Sequence, residues 1–172
     1  MLDLLHLCER EGIRVFWRRL DEEGNLLGMY FRSPRRHRPI IALDVSLINR
    51  VKLARCVLAE EIGHYWCSPT VDHVNVGESA GLEMQALWRD EHRALRMAAN
   101  LLIPTEALAD AVRRGITSAD ELSEHFLVEE WMVWRKLRVL QEDLREQWRF
   151  RVRTADILSP LLAATEWGEA VS

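Results

Sequence analysis

Cysteine is scarce in this chain. The three present, Cys8, Cys56 and Cys67, are odd in number and nowhere form a CxxC pair. That argues against a disulfide framework and for free thiols in a reducing compartment. An excess of charge of one sign is missing too. With 23 Lys and Arg against 27 Asp and Glu the formal net charge is -4, so no global basic field draws the molecule toward nucleic acid. No run approaches the ~18 uninterrupted apolar residues that a membrane span needs. The first six residues carry Asp3 and His6 inside a short apolar run, which is not the pattern of a basic-then-apolar leader. A cytoplasmic protein is expected. There is no internal repeat and no low-complexity stretch, and 172 residues, 48% of them hydrophobic, suffice for one domain with a real core.

What is there changes character along the chain. Leu2 to Glu11 repeats leucine at helical spacing and stops at Gly12. Ile13 to Trp17 and Leu26 to Phe31 are rich in β-branched and aromatic residues, and Asp21-Glu-Glu-Gly-Asn25 between them is turn chemistry suited to a hairpin. Ile40 to Leu43 fits a third strand. From Ser46 the period becomes helical: Leu47, Val51, Ala54, Leu58 and Ile62 recur at three- and four-residue steps up to Trp66. Ser68-Pro69 ends that helix, and a polar loop follows to about residue 78.

A second long helix is expected from Leu82 to Leu102, halted by Pro104. A short one runs from Thr105 to Gly115. Another starts at Ser118, whose spacing to Glu121 is that of a capping box. After a break near Leu127-Val128 a last helix runs from Glu129 to Gln147. The expected class is therefore α+β, a small antiparallel three-stranded sheet packed on a helical cluster. A single domain covers 1–153, with 116–147 as its helical C-terminal part, and a tail occupies 154–172.

Chemistry concentrates in Leu58-Ala-Glu60-Glu61-Ile-Gly63-His64-Tyr-Trp66. Residues four apart on a helix share a face one turn apart, so Glu60 and His64 can point a carboxylate and an imidazole at one ion. Glu61, one step round, is the acid between them. H-E-x-x-H uses the same layout, two ligands and a general base, with His where this chain has Glu60. A third ligand must come from elsewhere, and Glu91-His92 on the second long helix, 27 residues beyond His64, offers one. The two are about 100° apart around the axis, so one of them, not both, would face the ion.

These segments resemble the ImmA/IrrE family of metallopeptidases. Ala59 to Tyr65 is similar to its L-A-[HE]-E-[LI]-G-H segment. Glu91-His-Arg-Ala94-Leu-Arg-Met97-Ala98-Ala-Asn-Leu101-Leu102-Ile-Pro104 is similar to its E-x-x-A-x-x-F-A-x-x-L-L-x-P segment. The likeness extends from about Ile13 to Leu140. It implies gluzincin-like metal-site helices and a metal-dependent, zinc-type endopeptidase with Glu60, His64 and Glu91 as metal ligands and Glu61 as catalytic base. Manganese or iron are alternative metals.

The resemblance further implies a phage- or mobile-element-borne protein acting on a regulatory partner such as a helix-turn-helix repressor. The alternative is a peptidase-fold module that binds such a partner without cutting it. Glu60 departs from the commoner His, although the E-E-x-G-H variant is recognisable in the family. Two carboxylates and one imidazole make a harder, more anionic site than two imidazoles and one carboxylate.

Blander readings stand beside these. His92 can replace Glu91, though the register of Ala94, Ala98 and Pro104 favours Glu91. His73 reads as a surface histidine. Cys56 and Cys67 read as filler rather than ligands. Arg35-Arg36-His37-Arg38 reads as a solvated turn, not a nucleic-acid patch. Ser118 to Leu140 mimics a helix-turn-helix, but Glu129-Glu130 would open the recognition helix against phosphates, so a packing helical hairpin is expected. The seven tryptophans read as core or partner surface.

Overall fold

The computed structural model describes residues 1–22, 25–32, 38–67 and 80–146. The expected surface histidine His73, the run Arg35-Arg36-His37 and the tail from 154 lie outside the described residues. The class is α+β. In chain order come α1 (Leu2–Arg10), β1 (Arg14–Arg18), β2 (Gly28–Phe31), β3 (Ile40–Asp44), a 3-10 turn (Val45–Leu47), α2 (Val51–Cys67), α3 (Ala80–Leu102), α4 (Thr105–Arg113), α5 (Ala119–Phe126) and α6 (Glu130–Glu146). The described residues fall into two compact units, one within 1–98 and the other within 99–146.

The sheet corrects the expectation of a hairpin and of all-antiparallel pairing. Its order is β1-β3-β2. β1 runs parallel to β3, with Val15 beside Ile41 and Trp17 beside Leu43. β2 runs antiparallel to β3, with Tyr30 beside Ile41 and Gly28 beside Leu43. The reason lies in β3, the strand apolar on both faces: Ile41 and Leu43 are fully buried and Ala42 nearly so. Such a strand gains most from the central position, while the half-polar β1 and β2 tolerate the edges.

The expected single helix from Ser46 is also divided. Asp44 accepts hydrogen bonds from the amides of Ser46 and Leu20, both at 2.8 Å. The first of these closes the 3-10 turn before α2 begins at Val51. Hydrogen bonds from Ser46 and Leu20 hold the Asp44 carboxyl below the usual carboxylate range. Since its folded pKa lies below the unfolded one, the linked stability is full above about pH 4 and is lost as pH falls through the folded value. Asp44→Asn is therefore expected to flatten the acid limb of the stability–pH curve, measured as thermal midpoints between about pH 2 and 5.

α2 is the spine of unit 1. Ala54, Cys56, Leu58, Ala59 and Ile62 are buried, and it packs on β2, β3 and α1. Arg55 reaches back to Asp3 of α1 at 2.7 Å. Full burial of a side chain such as Leu58 or Ile62 stabilises by about 2 kcal/mol.

In unit 2 the capping box at Ser118 is present. Leu127, at φ 53, turns the chain between α5 and α6, which pack on each other as a hairpin. Lys136 of α6 is buried and donates to Asn100 Oδ1 at 2.6 Å and Thr105 Oγ1 at 2.9 Å. The tryptophans at 17, 66, 88, 131 and 134 are all substantially exposed, so they follow the surface half of the expectation rather than the core half.

Candidate metal centre

α2 and α3 meet at one point, backbone against backbone. A Cβ added to Gly63 would lie 2.4 Å from the Ala94 carbonyl oxygen. Glycine is needed there because any side chain would hold the helices apart. Glu91 precedes Ala94 by three residues, about one turn, and so stands beside the turn of α2 that carries Glu60 and His64. The result is a cluster in which one ligand-capable atom from each of Glu60, His64 and Glu91 lies within 4.8 Å of the others. His64 Nε2 is 3.3 Å from Glu91 Oε2. His92, one step round α3, is exposed and outside that cluster; the buried Cys56 and half-buried Cys67 are outside it too.

Glu61, one step round α2, lies against β2 at Gly28 and within electrostatic reach of His64, Glu60 and Glu91. It is only 8% exposed. Burial pushes its carboxyl up to about 7, the nearby Glu60 and Glu91 carboxylates add to the rise, and His64 opposes it. The Tyr30 amide donates a hydrogen bond to it. Gly28 gives it room: a Cβ there would sit 2.6 Å from Glu61 Oε1 and 2.5 Å from Val57 Cγ1.

Sequence reasoning missed Gly28 and Tyr30. The available signal was a glycine inside an otherwise apolar strand, which marks close approach of another group. Gly28→Ala should press its methyl on the buried Val57 side chain as well as on Glu61, costing about 1–3 kcal/mol of stability by overpacking while the fold is kept. It should displace Glu61, lowering any turnover about tenfold or more through misplacement of a reacting group, against an unchanged circular dichroism spectrum.

His64 is held above its usual pKa, first by its hydrogen bond to Glu91, against the opposing effect of burial, with the carboxylates of Glu61, Glu91 and Glu60 adding to the rise. An imidazole that favours its cationic form between carboxylates marks a place suited to positive charge. The donor set fits a divalent metal ion: three protein ligands of N and O type, with His64 largely buried and Glu91 half exposed to solvent, match the open arrangement of catalytic zinc sites.

The family model of the IrrE N-terminal-like domain of the M78 peptidases matches residues 8–138. The chain belongs to that family. No curated protein and no solved structure matches it. Membership implies a metallopeptidase-like protein that uses a metal ion and acts on protein, and the Glu60–His64–Glu91 cluster falls within the matched span. No described helix is long and apolar enough to cross a membrane.

Proposed function

We propose that this M78 protein is a metal-dependent endopeptidase, with Glu60, His64 and Glu91 holding the ion and Glu61 as the base. The observation that carries the reading is the convergence of three donor atoms within 4.8 Å from two helices, with a fourth acid buried alongside. A divalent ion in that position supplies Lewis acidity toward a peptide carbonyl and toward water.

The protein's own residues supply the rest. Glu61, a buried carboxyl adjacent in sequence to Glu60 and three residues before His64, is suited to take a proton from the attacking water and return it to the leaving amine. The Tyr30 amide fixes the orientation of that carboxylate. Gly63 holds the two ligand-bearing helices at contact. Zinc is the first choice of metal; the second carboxylate, Glu60, also favours manganese or iron. The substrate class we propose is a regulatory protein, such as a helix-turn-helix repressor, in a cytoplasmic setting of the phage or mobile-element type.

A second reading is kept by Glu60 itself. Two ligand carboxylates neutralise a divalent ion and acidify its surroundings less than a cationic centre does. The same fold would then bind its partner without cutting it.

Metal analysis tests the shared premise. Protein purified without added metal or chelator should carry about one equivalent of zinc, manganese or iron by elemental analysis. Glu91→Ala and His64→Ala should each lower affinity for the ion by more than about 100-fold, since loss of an outer-shell partner alone costs 10–100-fold. A metal-free, folded sample that takes up none of these three ions in equilibrium dialysis would overturn the proposal.

A further inference from the structure

The sheet has a second face that the metal centre does not use. Register places Val15, Trp17, Ile41, Leu43, Gly28 and Tyr30 on one face, and Gly28 meets Val57 and Glu61 of α2 there. The alternate residues therefore form the outer face. In one row across it stand Phe16, Ala42 and Met29; the next row holds Arg14, Ile40 and Phe31. Phe16 is 38% exposed, Met29 44% and Phe31 49%. Three large apolar side chains this open, side by side on one small sheet, are a patch rather than scattered surface residues.

Shape and charge narrow the occupant. Ala42 is small and nearly buried between its two larger neighbours, so β3 forms the floor of a shallow trough walled by Phe16 on β1 and by Met29 and Phe31 on β2. The walls stand on strands two spacings apart, about 9.6 Å between backbone centres, so a helix of ~10 Å diameter with its side chains would rest along the trough rather than sink between its walls. Cations line this face. Arg14 and Arg18, both exposed, occupy its β1 positions. The one acid at an outer-face strand position, Asp44, is buried, with its oxygens accepting the Leu20 and Ser46 amides.

A single-stranded nucleic acid would need bare aromatic faces for its bases. Here the Arg14 guanidinium already lies over the Phe16 ring, 5.1 Å from its centre, and the central row offers alanine and methionine. Methionine suits a protein partner, since its flexible side chain adapts to an apolar ridge.

We propose that the outer face of the β1-β3-β2 sheet is a docking surface for an amphipathic helix of a partner protein, with its apolar stripe along Phe16, Met29 and Phe31 and its flanking carboxylates on Arg14 and Arg18. It lies across the sheet from α2 and does not depend on the metal-site reading. It would recruit a partner whether or not that partner is cut.

The test uses the full chain and a fluorescein-labelled helical peptide with leucines at i, i+3, i+4 and i+7 and glutamates on both flanks. Fluorescence anisotropy should show saturable binding that weakens with salt. Met29→Lys and Arg14→Glu should each weaken it at least about tenfold. Arg18→Gln, at an exposed position away from the Phe16 ring, removes the cation without setting a second carboxylate opposite Asp44 and should act in the same direction. The same peptide with lysines for glutamates should bind at least about tenfold more weakly. Equal binding of the two peptides, binding unchanged by all three substitutions, or no binding to the wild type would each overturn the proposal. So would preferential binding of a labelled oligothymidylate, or a concentration-dependent dimer abolished by Met29→Lys.

Discussion

Glu61→Gln should abolish peptide hydrolysis, by about 100-fold at least and up to about 10,000-fold, while the protein still folds and still binds its metal ion. The amide keeps the shape of the carboxylate and can still accept the Tyr30 hydrogen bond. It removes the one property the reaction needs, the ability to carry a proton. The fold has no reason to resist the change. Burial raises the Glu61 carboxyl from 4.5 to about 7, so its charged form is the disfavoured one in the folded state.

The sign of the linkage follows. In the metal-free protein the neutral form is favoured on folding, so stability is highest below the unfolded pKa. It should decline as pH rises from about 4.5 toward 7 and level off above that. The Gln variant should lack that decline, measured by denaturant unfolding across the same range. Retained metal with lost hydrolysis of a partner protein supports the peptidase reading. Full function in the variant, read as relief of a repressor in cells, supports binding without cleavage and removes the proposed chemistry.

Gly63→Ala should do the opposite, harming the fold and the metal site together. The added methyl would lie 2.4 Å from the Ala94 carbonyl oxygen and 2.9 Å from its carbonyl carbon. All of these are backbone atoms that cannot swing aside, so α2 and α3 must separate. Overpacking of this kind costs about 1–3 kcal/mol. Separation also carries Glu91 away from His64, now 3.3 Å apart, so metal affinity should fall at least about tenfold even in molecules that remain folded. Denaturant midpoints and equilibrium dialysis against zinc measure the two effects on one sample. A variant as stable as the wild type, with unchanged metal affinity, would mean that the helices do not meet at Gly63.

The part of the site carried by α2 was legible in the sequence because it is local. Glu60 and His64 share a helix face by spacing alone, and Glu61 follows from them. Glu91 was legible for a less direct reason. The family pattern fixes an alanine three residues later, and Ala94 is where the backbones touch, so register chose Glu91 over His92 before any distance was known. Helix ends were legible where capping chemistry marks them, at Gly12, Ser118 and Gly115.

What escaped was non-local. Strand order depends on how β1, β2 and β3 compete for the central position, and the turn residues between β1 and β2 suggested a hairpin that this competition overrules. The supports of Glu61, Gly28 and the Tyr30 amide, come from a strand more than 30 residues earlier in the chain, and no helical period reports such a contact. The Asp44 turn escaped as well, because the helical spacing from Leu47 to Val51 and Ala54 runs through it without a break.

The Tyr30 amide and the space left by Gly28 mean that the placement of Glu61 is set by β2, whereas Glu60 and His64 are placed by α2 and face α3. Anchorage of the acid is thus separate from the make-up of the cation cluster. An exchange of imidazole for carboxylate at position 60 can alter which ion is preferred and how strongly it is held while the neighbouring acid keeps its station. A lineage built this way can vary the donor set at position 60 by single substitutions while Glu61 stays where β2 holds it.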